Sequence, residues 1–294
     1  MRAVLILVVL LLGACTHVVA PPPAPPPPAP VAGEIRDLRT GQVLTADQLL
    51  TALARPSRLI VGEQHDNRDH HAVELWLLEA LGGQRPQGSL LLEMLTPDQQ
   101  PHVDQVHQAA TPPADLRDAL AWQEGWDWAL YGPIVRFALT QPYPLLAANL
   151  DPLEIRAAYT HPATPSGSRT NAEAVKTELL KQVSESHCGL LPKSKMPAML
   201  AVQQQRDRRM AERLLAAPEP ALLFAGAFHA RKDVGVPIHV LDLGAEQAPT
   251  VLMLAQKGSE VTAQMADYVW YTPVVKAPDY CKEMRKKLGG RRKK

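Results

Sequence analysis

The sequence predicts an α/β domain whose central sheet is mostly parallel and covered by helices on both faces. Three observations predict it. Short apolar runs alternate along the chain with longer stretches of helical period. The runs Leu59-Ile60-Val61, Leu90-Leu91-Leu92 and Leu222-Leu223-Phe224-Ala225 are continuous rather than alternating, as strands buried on both faces are. Two of them end in the same motif, Gly-x-x-His: Gly62-Glu63-Gln64-His65 and Gly226-Ala227-Phe228-His229. In open α/β sheets the strand C-terminal ends form the crevice where ligands bind.

The elements follow in order. Thr45 is a candidate N-cap for a helix opening at Ala46. Ser57 to Val61 reads as the first strand. Asp69 to Leu81 reads as a helix, with Ala72, Leu75, Trp76, Leu78 and Leu81 on one apolar face. Ser89 to Met94 is a strand, and Thr96-Pro97 starts a helix with proline at its first position. Ala110 to Tyr131 is rich in tryptophan (Trp122, Trp126, Trp128) and less regular, and reads as a helical flap over the strand ends. Tyr143 to Ala148 is a strand, and Lys195 to Ala217 is a long helix. Ala221 to Ala225, Pro237 to Leu241 and Thr250 to Leu254 complete the strands.

The 294 residues are 46% hydrophobic, enough for a sizeable core. The net charge of +1 gives no global field toward nucleic acid, and no nucleic-acid partner is expected. Residues 1–15 read as an export signal: Arg2, a short apolar stretch, then Leu12-Gly13-Ala14-Cys15. Small residues before that cysteine resemble a bacterial lipobox, in which Cys15 is acylated and anchors the protein to a membrane. Thr16, rather than an aspartate, resembles sorting to the outer membrane. Residues 16–32 form a proline-rich spacer of polyproline II type, rising about 3.1 Å per residue. The folded domain is expected over 33–282. A basic tail, 283–294, reads either as solvated and disordered or as a weak contact for anionic lipid. Cys188 and Cys281 remain as a pair for an oxidising compartment and are expected to form a disulfide. The rival reading makes Cys188, beside His187, a metal or haem ligand.

Two strand ends side by side would bring His65 and His229 to one rim, with Glu93 closing the third apolar run. Glu63, His65, Glu93 and His229 suit either a divalent metal or general acid–base work. His65, His229 and Glu93 are the metal-ligand set in the first case. His70 and His71 open the following helix, one expected at the crevice and the other in solvent. His102, His107, His161 and His187 read as surface residues. Tyr131 and Tyr159 are candidate anionic oxygen ligands, since tyrosinate suits ferric iron; the alternative is a half-buried ring bonded to backbone. Arg206 and Asp207, on the long helix, would anchor a propionate or pair within the protein. Walker, Gly-x-Gly-x-x-Gly, Cys-x-x-Cys and Gly-x-Ser-x-Gly motifs are absent.

These residues resemble the ChaN family of the haem-binding uptake, Tiki superfamily. The likeness runs from about Ser57 to Leu241. It rests on Gly62-Glu63-Gln64-His65-Asp66-Asn67 with His70-His71, Leu92-Glu93-Met94 with Gln99, and Trp126 with Tyr131 and Pro133. It continues through Ala147-Ala148-Asn149, Gln203 with Arg206-Asp207 and Met210-Ala211, and Ala225-Gly226-Ala227-Phe228-His229-Ala230-Arg231. The resemblance implies a three-layer α/β/α fold of ChaN/EreA type. It implies a haem-binding lipoprotein of the outer membrane, serving haem or iron acquisition, with an outer-membrane haem receptor as a possible partner. It also implies a homodimer around two stacked haems, each iron taking a tyrosine ligand with a histidine of the other subunit nearby. Tyr159 and Tyr131 are the tyrosines in question, and His65, His70, His71 and His229 the histidines. The tryptophan-rich flap would supply an apolar face for the haem. The superfamily also holds proteases and esterases, so a metal-dependent hydrolase, or a metal-free acid–base one, is the second expectation. A purely structural envelope lipoprotein is the third.

Overall fold

The computed structural model describes residues 27–276 and 279–291. At its centre stands β3 (Arg58–Glu63), with β7 (Thr250–Gln256) on one side and β6 (Ala221–Gly226) on the other. Beyond β6 come β4 (Ser89–Leu92) and β5 (Leu145–Ala147). Beyond β7 come β8 (Tyr268–Thr272), β1 (Glu34–Asp37) and β2 (Val43–Leu44). The six strands from β8 to β5 are parallel, and β1 and β2 add an antiparallel edge. All strand C-termini of the parallel block therefore open on one rim.

Strand alternation divides the core into two layers. Leu59, Val61, Leu90, Leu92, Leu222 and Phe224 face one side. There they meet α1 (Ala46–Leu53), α2 (Arg68–Gln84), α3 (Gln100–Gln108) and α5 (Trp128–Leu139). Ile60, Leu91, Leu223 and Ala225 face the other side. They pack on Met210, Ala211 and Leu214 of α8 (Met196–Ala216) and on Val236 and Val240 of α10 (Val236–Asp242). Both faces are covered, which is why these strands are apolar at every position. Thr45 caps α1, with Gln48 reaching back to complete the capping box.

Four differences from the sequence reading have physical causes. Pro237 to Leu241 is not a strand but lies in α10. The proline sits in the first helical turn, where its missing N–H costs nothing. Strands β1 and β2 lack the continuous apolar signature because they lie at the open edge, whereas β8 carries it in Tyr268-Val269-Trp270-Tyr271 and escaped the sequence reading. The flap is irregular chain with the short α4 (Leu116–Ala119) leading into α5. Residues 283–291, expected as an unstructured tail, continue α11 (Tyr280–Arg291), and 292–294 lie outside the described residues.

The ends of the chain are tied to the domain. Trp76 Nε1 donates to the carbonyl of Pro27 at 2.8 Å, so the proline spacer meets the domain before β1. A disulfide joins Cys188, just past α7 (Glu173–Ser186), to Cys281 in α11. Neither cysteine is therefore a metal or haem ligand. Tyr280 hydrogen-bonds Asp66 beside the first Gly-x-x-His, bringing the C-terminal segment to the rim. Cys15 and the export signal lie outside the described residues.

Candidate functional site

The two Gly-x-x-His motifs are locked together by register. β3 and β6 pair so that Gly62 lies opposite Ala225 and Glu63 opposite Gly226. β4 flanks β6, and the Glu93 N–H donates to the Phe224 carbonyl at 3.1 Å. Each glycine leaves room for the other motif. A Cβ on Gly226 would stand 2.7 Å from His65 Nε2, and one on Gly62 would stand 2.6 Å from the Ala230 methyl. The glycines thus serve close approach at a strand end.

The first unit is built on Glu63, a buried carboxylate at the end of β3. His65 Nδ1 lies 2.6 Å from Glu63 Oε1, and the Tyr131 hydroxyl donates to the same oxygen at 2.9 Å. Trp126 of the flap meets the His65 ring edge-on at 4.9 Å, while 41% of the His65 side chain stays exposed. Burial works against charging this imidazole. The Glu63 hydrogen bond and the charges of Glu93 and Glu63 outweigh it and raise its pKa to about 9.

The second unit centres on His229, buried in the short helix α9 (Ala227–Ala230). Its Nδ1 lies 2.6 Å from Asp207 Oδ1 and 3.1 Å from Gln203 Nε2, both on α8. Its Nε2 lies 3.3 Å from Glu93 Oε1. Glu93 Oε2 accepts the Gly226 N–H at 2.7 Å, and Asn149 Nδ2 holds the Glu93 carbonyl at 2.9 Å. Burial opposes the imidazolium, but Glu93 and Asp207 together raise its pKa to about 10. Burial would raise the Glu93 carboxyl, yet His229 and then His65 hold it well below the usual carboxylate range. Burial pushes Asp207 up to about 6.

Glu63, His65, Glu93 and His229 therefore share one rim, with Asp207 and Tyr131 behind them. Among the described residues no three His, Cys, Asp or Glu side chains are placed to hold a metal ion. Of the expected ligand set, His229 and Glu93 engage each other, Asp207 and the Gly226 N–H, and His65 Nδ1 faces Glu63. The arrangement is two linked carboxylate–imidazolium pairs.

Other expectations change. Neither His70 nor His71 reaches solvent, and neither is open to a cofactor. His70 Nδ1 accepts the Gln64 N–H at 3.0 Å, and burial depresses its pKa to about 3, so it is a neutral brace under the rim. His71 donates to Glu74 at 2.9 Å and to the His65 carbonyl at 3.1 Å. Glu74 escaped the sequence reading; the available signal was a carboxylate three residues past His71 on a buried helix face. Tyr131 is fully buried, and burial followed by the Glu63 charge drives its pKa far above the ordinary phenol value. Its hydroxyl keeps its proton and donates it to Glu63. Tyr159 is half-buried on α6 (Pro152–Thr160), with Lys195 Nζ 5.4 Å from its ring centroid. Trp122 is buried and donates to the Trp126 carbonyl, so the flap shields the first unit and presents only part of its aromatic surface.

A family profile described as "Haem-binding uptake, Tiki superfamily, ChaN" matches residues 49–240. Among solved structures, one described as cofacial haem binding to ChaN of Campylobacter jejuni is 27% identical, with a TM-score of 0.76. It covers 82% of this chain and 97% of that one. A mutant of the erythromycin esterase EreC in its open conformation is 13% identical at a TM-score of 0.45, covering 84% of each chain, a loose likeness that carries no functional information. No curated protein matches the chain. The profile spans β3 to β6, the flap, α6 and both carboxylate–imidazolium units, so the chain belongs to the ChaN family of the haem-binding uptake, Tiki superfamily.

Proposed function

We propose that this protein is a haem-binding lipoprotein of the outer membrane, serving haem or iron uptake, which holds ferric haem through Tyr159 on a face shared by two copies. The family supports haem binding. The observation that carries the finer reading is the contrast between the two tyrosines: Tyr131 is sealed against Glu63, whereas Tyr159 stands half-open on α6. No side chain of α6 is buried, and Leu153 is 75% exposed. Haem is a broad apolar plate. The hollow lined by Gln64, Phe228, Met253 and Met265 among others holds about 120 Å³. Pockets for drug-sized ligands run to about 300–1,000 Å³, so a face completed by a second copy suits haem better than that cleft. Of the four histidines expected near the iron, His65 alone keeps much of its ring exposed. Acylation of Cys15 supplies the anchor in this reading, and the proline spacer the distance from the lipid.

Haemin titration of the full chain tests it. The expected result is a saturable Soret band with a high-spin, tyrosinate-type ferric spectrum, and growth from monomer to dimer in size exclusion. Tyr159→Phe abolishes that spectrum without moving the melting temperature, and Tyr131→Phe keeps it. Haemin binding by Tyr159→Phe equal to wild type would sink the assignment.

The paired carboxylate–imidazolium geometry favours a second reading, a metal-free acid–base hydrolase. Glu63, whose Oε2 has no partner, would take a proton from water while an imidazolium polarises a carbonyl. Turnover of ester or peptide substrates that falls at least about a hundredfold in His229→Ala supports it. Turnover that is absent from wild type removes it.

A further inference from the structure

Arg206 stands out among the arginines. Among the described residues six others are not exposed, and each holds a carboxylate or a carbonyl. Arg206 is also not exposed, yet no nitrogen of its guanidinium makes a hydrogen bond or ion pair; its Nε is buried without a partner, as are those of Arg58 and Arg85, which are held through another nitrogen. An unmet buried donor costs about 1–3 kcal/mol, more for a charged group, so a native structure that keeps one calls for an explanation.

Its position on α8 supplies one. Gln203 and Asp207 turn to His229 at the rim. Gln205 and Arg209 turn the other way, to the Ala163 carbonyl beyond α6 and to Glu154 within it. At 100° per residue, Arg206 falls between these two faces, between the rim and the helix that carries Tyr159. The nearby carboxylates are engaged elsewhere. Glu93 holds Gly226 and His229, and Asp207 is the next residue, which on a helix does not face its neighbour.

We infer that Arg206 is a carboxylate-binding residue, whose planar fork takes a carboxylate of the ligand held between the rim and α6. The fork matches a carboxylate with two parallel N–H···O bonds, a geometry that lysine does not reproduce. If the ligand is haem, the carboxylate is a propionate, and that identification rests on the haem reading above. If the ligand is a small acid, the same fork serves it.

The test measures haemin and haemin dimethyl ester, in which both propionates are blocked, against the full chain as wild type, Arg206→Met and Arg206→Lys. Succinate is the small-acid probe, read by the shift in melting temperature. The expected result is haemin binding at least about tenfold weaker in Arg206→Met, partial recovery in Arg206→Lys, and ester binding that is weak and equal in all three. A wild type that ignores haemin but is stabilised by succinate, an effect lost in Arg206→Met, removes the haem reading and keeps the carboxylate site for another ligand. Equal haemin affinity in wild type and Arg206→Met, or haemin and succinate both without effect on wild type, overturns the inference. Arg206→Lys guards against a misfolded methionine variant, since it keeps the buried charge.

Discussion

Glu93→Leu is expected to destabilise the domain by about 3–5 kcal/mol, the range for removing one partner of a buried ion pair. Glu93 is 1% exposed and accepts from two directions, the Gly226 N–H and His229. Leucine fills the space and abandons both donors. The His229 imidazolium is then left with Asp207 alone, in a site that burial makes hostile to charge. Glu93→Gln is the control. Its amide oxygen still accepts the Gly226 N–H, so the expected loss is about 1–2 kcal/mol. Urea unfolding separates the two, and a leucine variant no worse than the glutamine variant would show that Glu93 does not hold the rim.

The same pair gives a pH signature. The pKa of His229 is raised in the fold to about 10, against about 6.5 in an unfolded chain. A raised pKa contributes stability that is complete below about pH 6.5 and is lost as pH rises through about 10. Wild-type stability should therefore decline across the alkaline range, with His65, raised to about 9, adding to the slope. In Glu93→Gln the main charge supporting His229 is gone, and the alkaline decline should flatten. An unchanged slope would place the titration elsewhere.

The twin glycines give the second large effect, and the two should fail differently. An alanine methyl at position 62 would lie 2.6 Å from the Ala230 methyl and 2.8 Å from Met253 Sδ. Both belong to packed core, and β3 is paired on both edges, so nothing yields cheaply. Overpacking of this kind costs about 1–3 kcal/mol, and Gly62→Ala is expected at the upper end. At position 226 the methyl meets the His65 ring at 2.7 Å. That ring is held by Glu63 and faced by Trp126, but it is partly exposed and can be pushed outward. Gly226→Ala should therefore cost about 1 kcal/mol while breaking the His65–Glu63 contact. Thermal unfolding reads the first loss, and the His65 imidazole NMR resonances read the second. Equal melting losses with an undisturbed His65 resonance would contradict the interlock.

Continuous apolar runs were enough to place β3, β4, β6 and β7, because a strand covered on both faces has no polar side to show. They also placed the ligand-binding edge, because parallel strands leave their C-terminal ends together and both Gly-x-x-His motifs sit at such ends. The pairing of Glu63 with His65 was visible as spacing. The role of Asp207 was open between anchor and ion pair, and its contact with His229 joins segments 22 residues apart.

What the sequence by itself determined is thus the layer order of the domain and the residues of the rim. Tertiary structure alone decided that Pro237 to Leu241 coils into a helix, since a five-residue stretch with one histidine in its middle is too short to show a period. It decided that Tyr131 is closed and Tyr159 open, that His70 is a neutral brace, and that Arg206 is left without a partner. These are facts about polar side chains, whose state depends on which distant segments supply or withhold a partner. Apolar side chains are sorted by exclusion from water, which acts on each residue wherever it lies and so leaves its mark in the linear pattern.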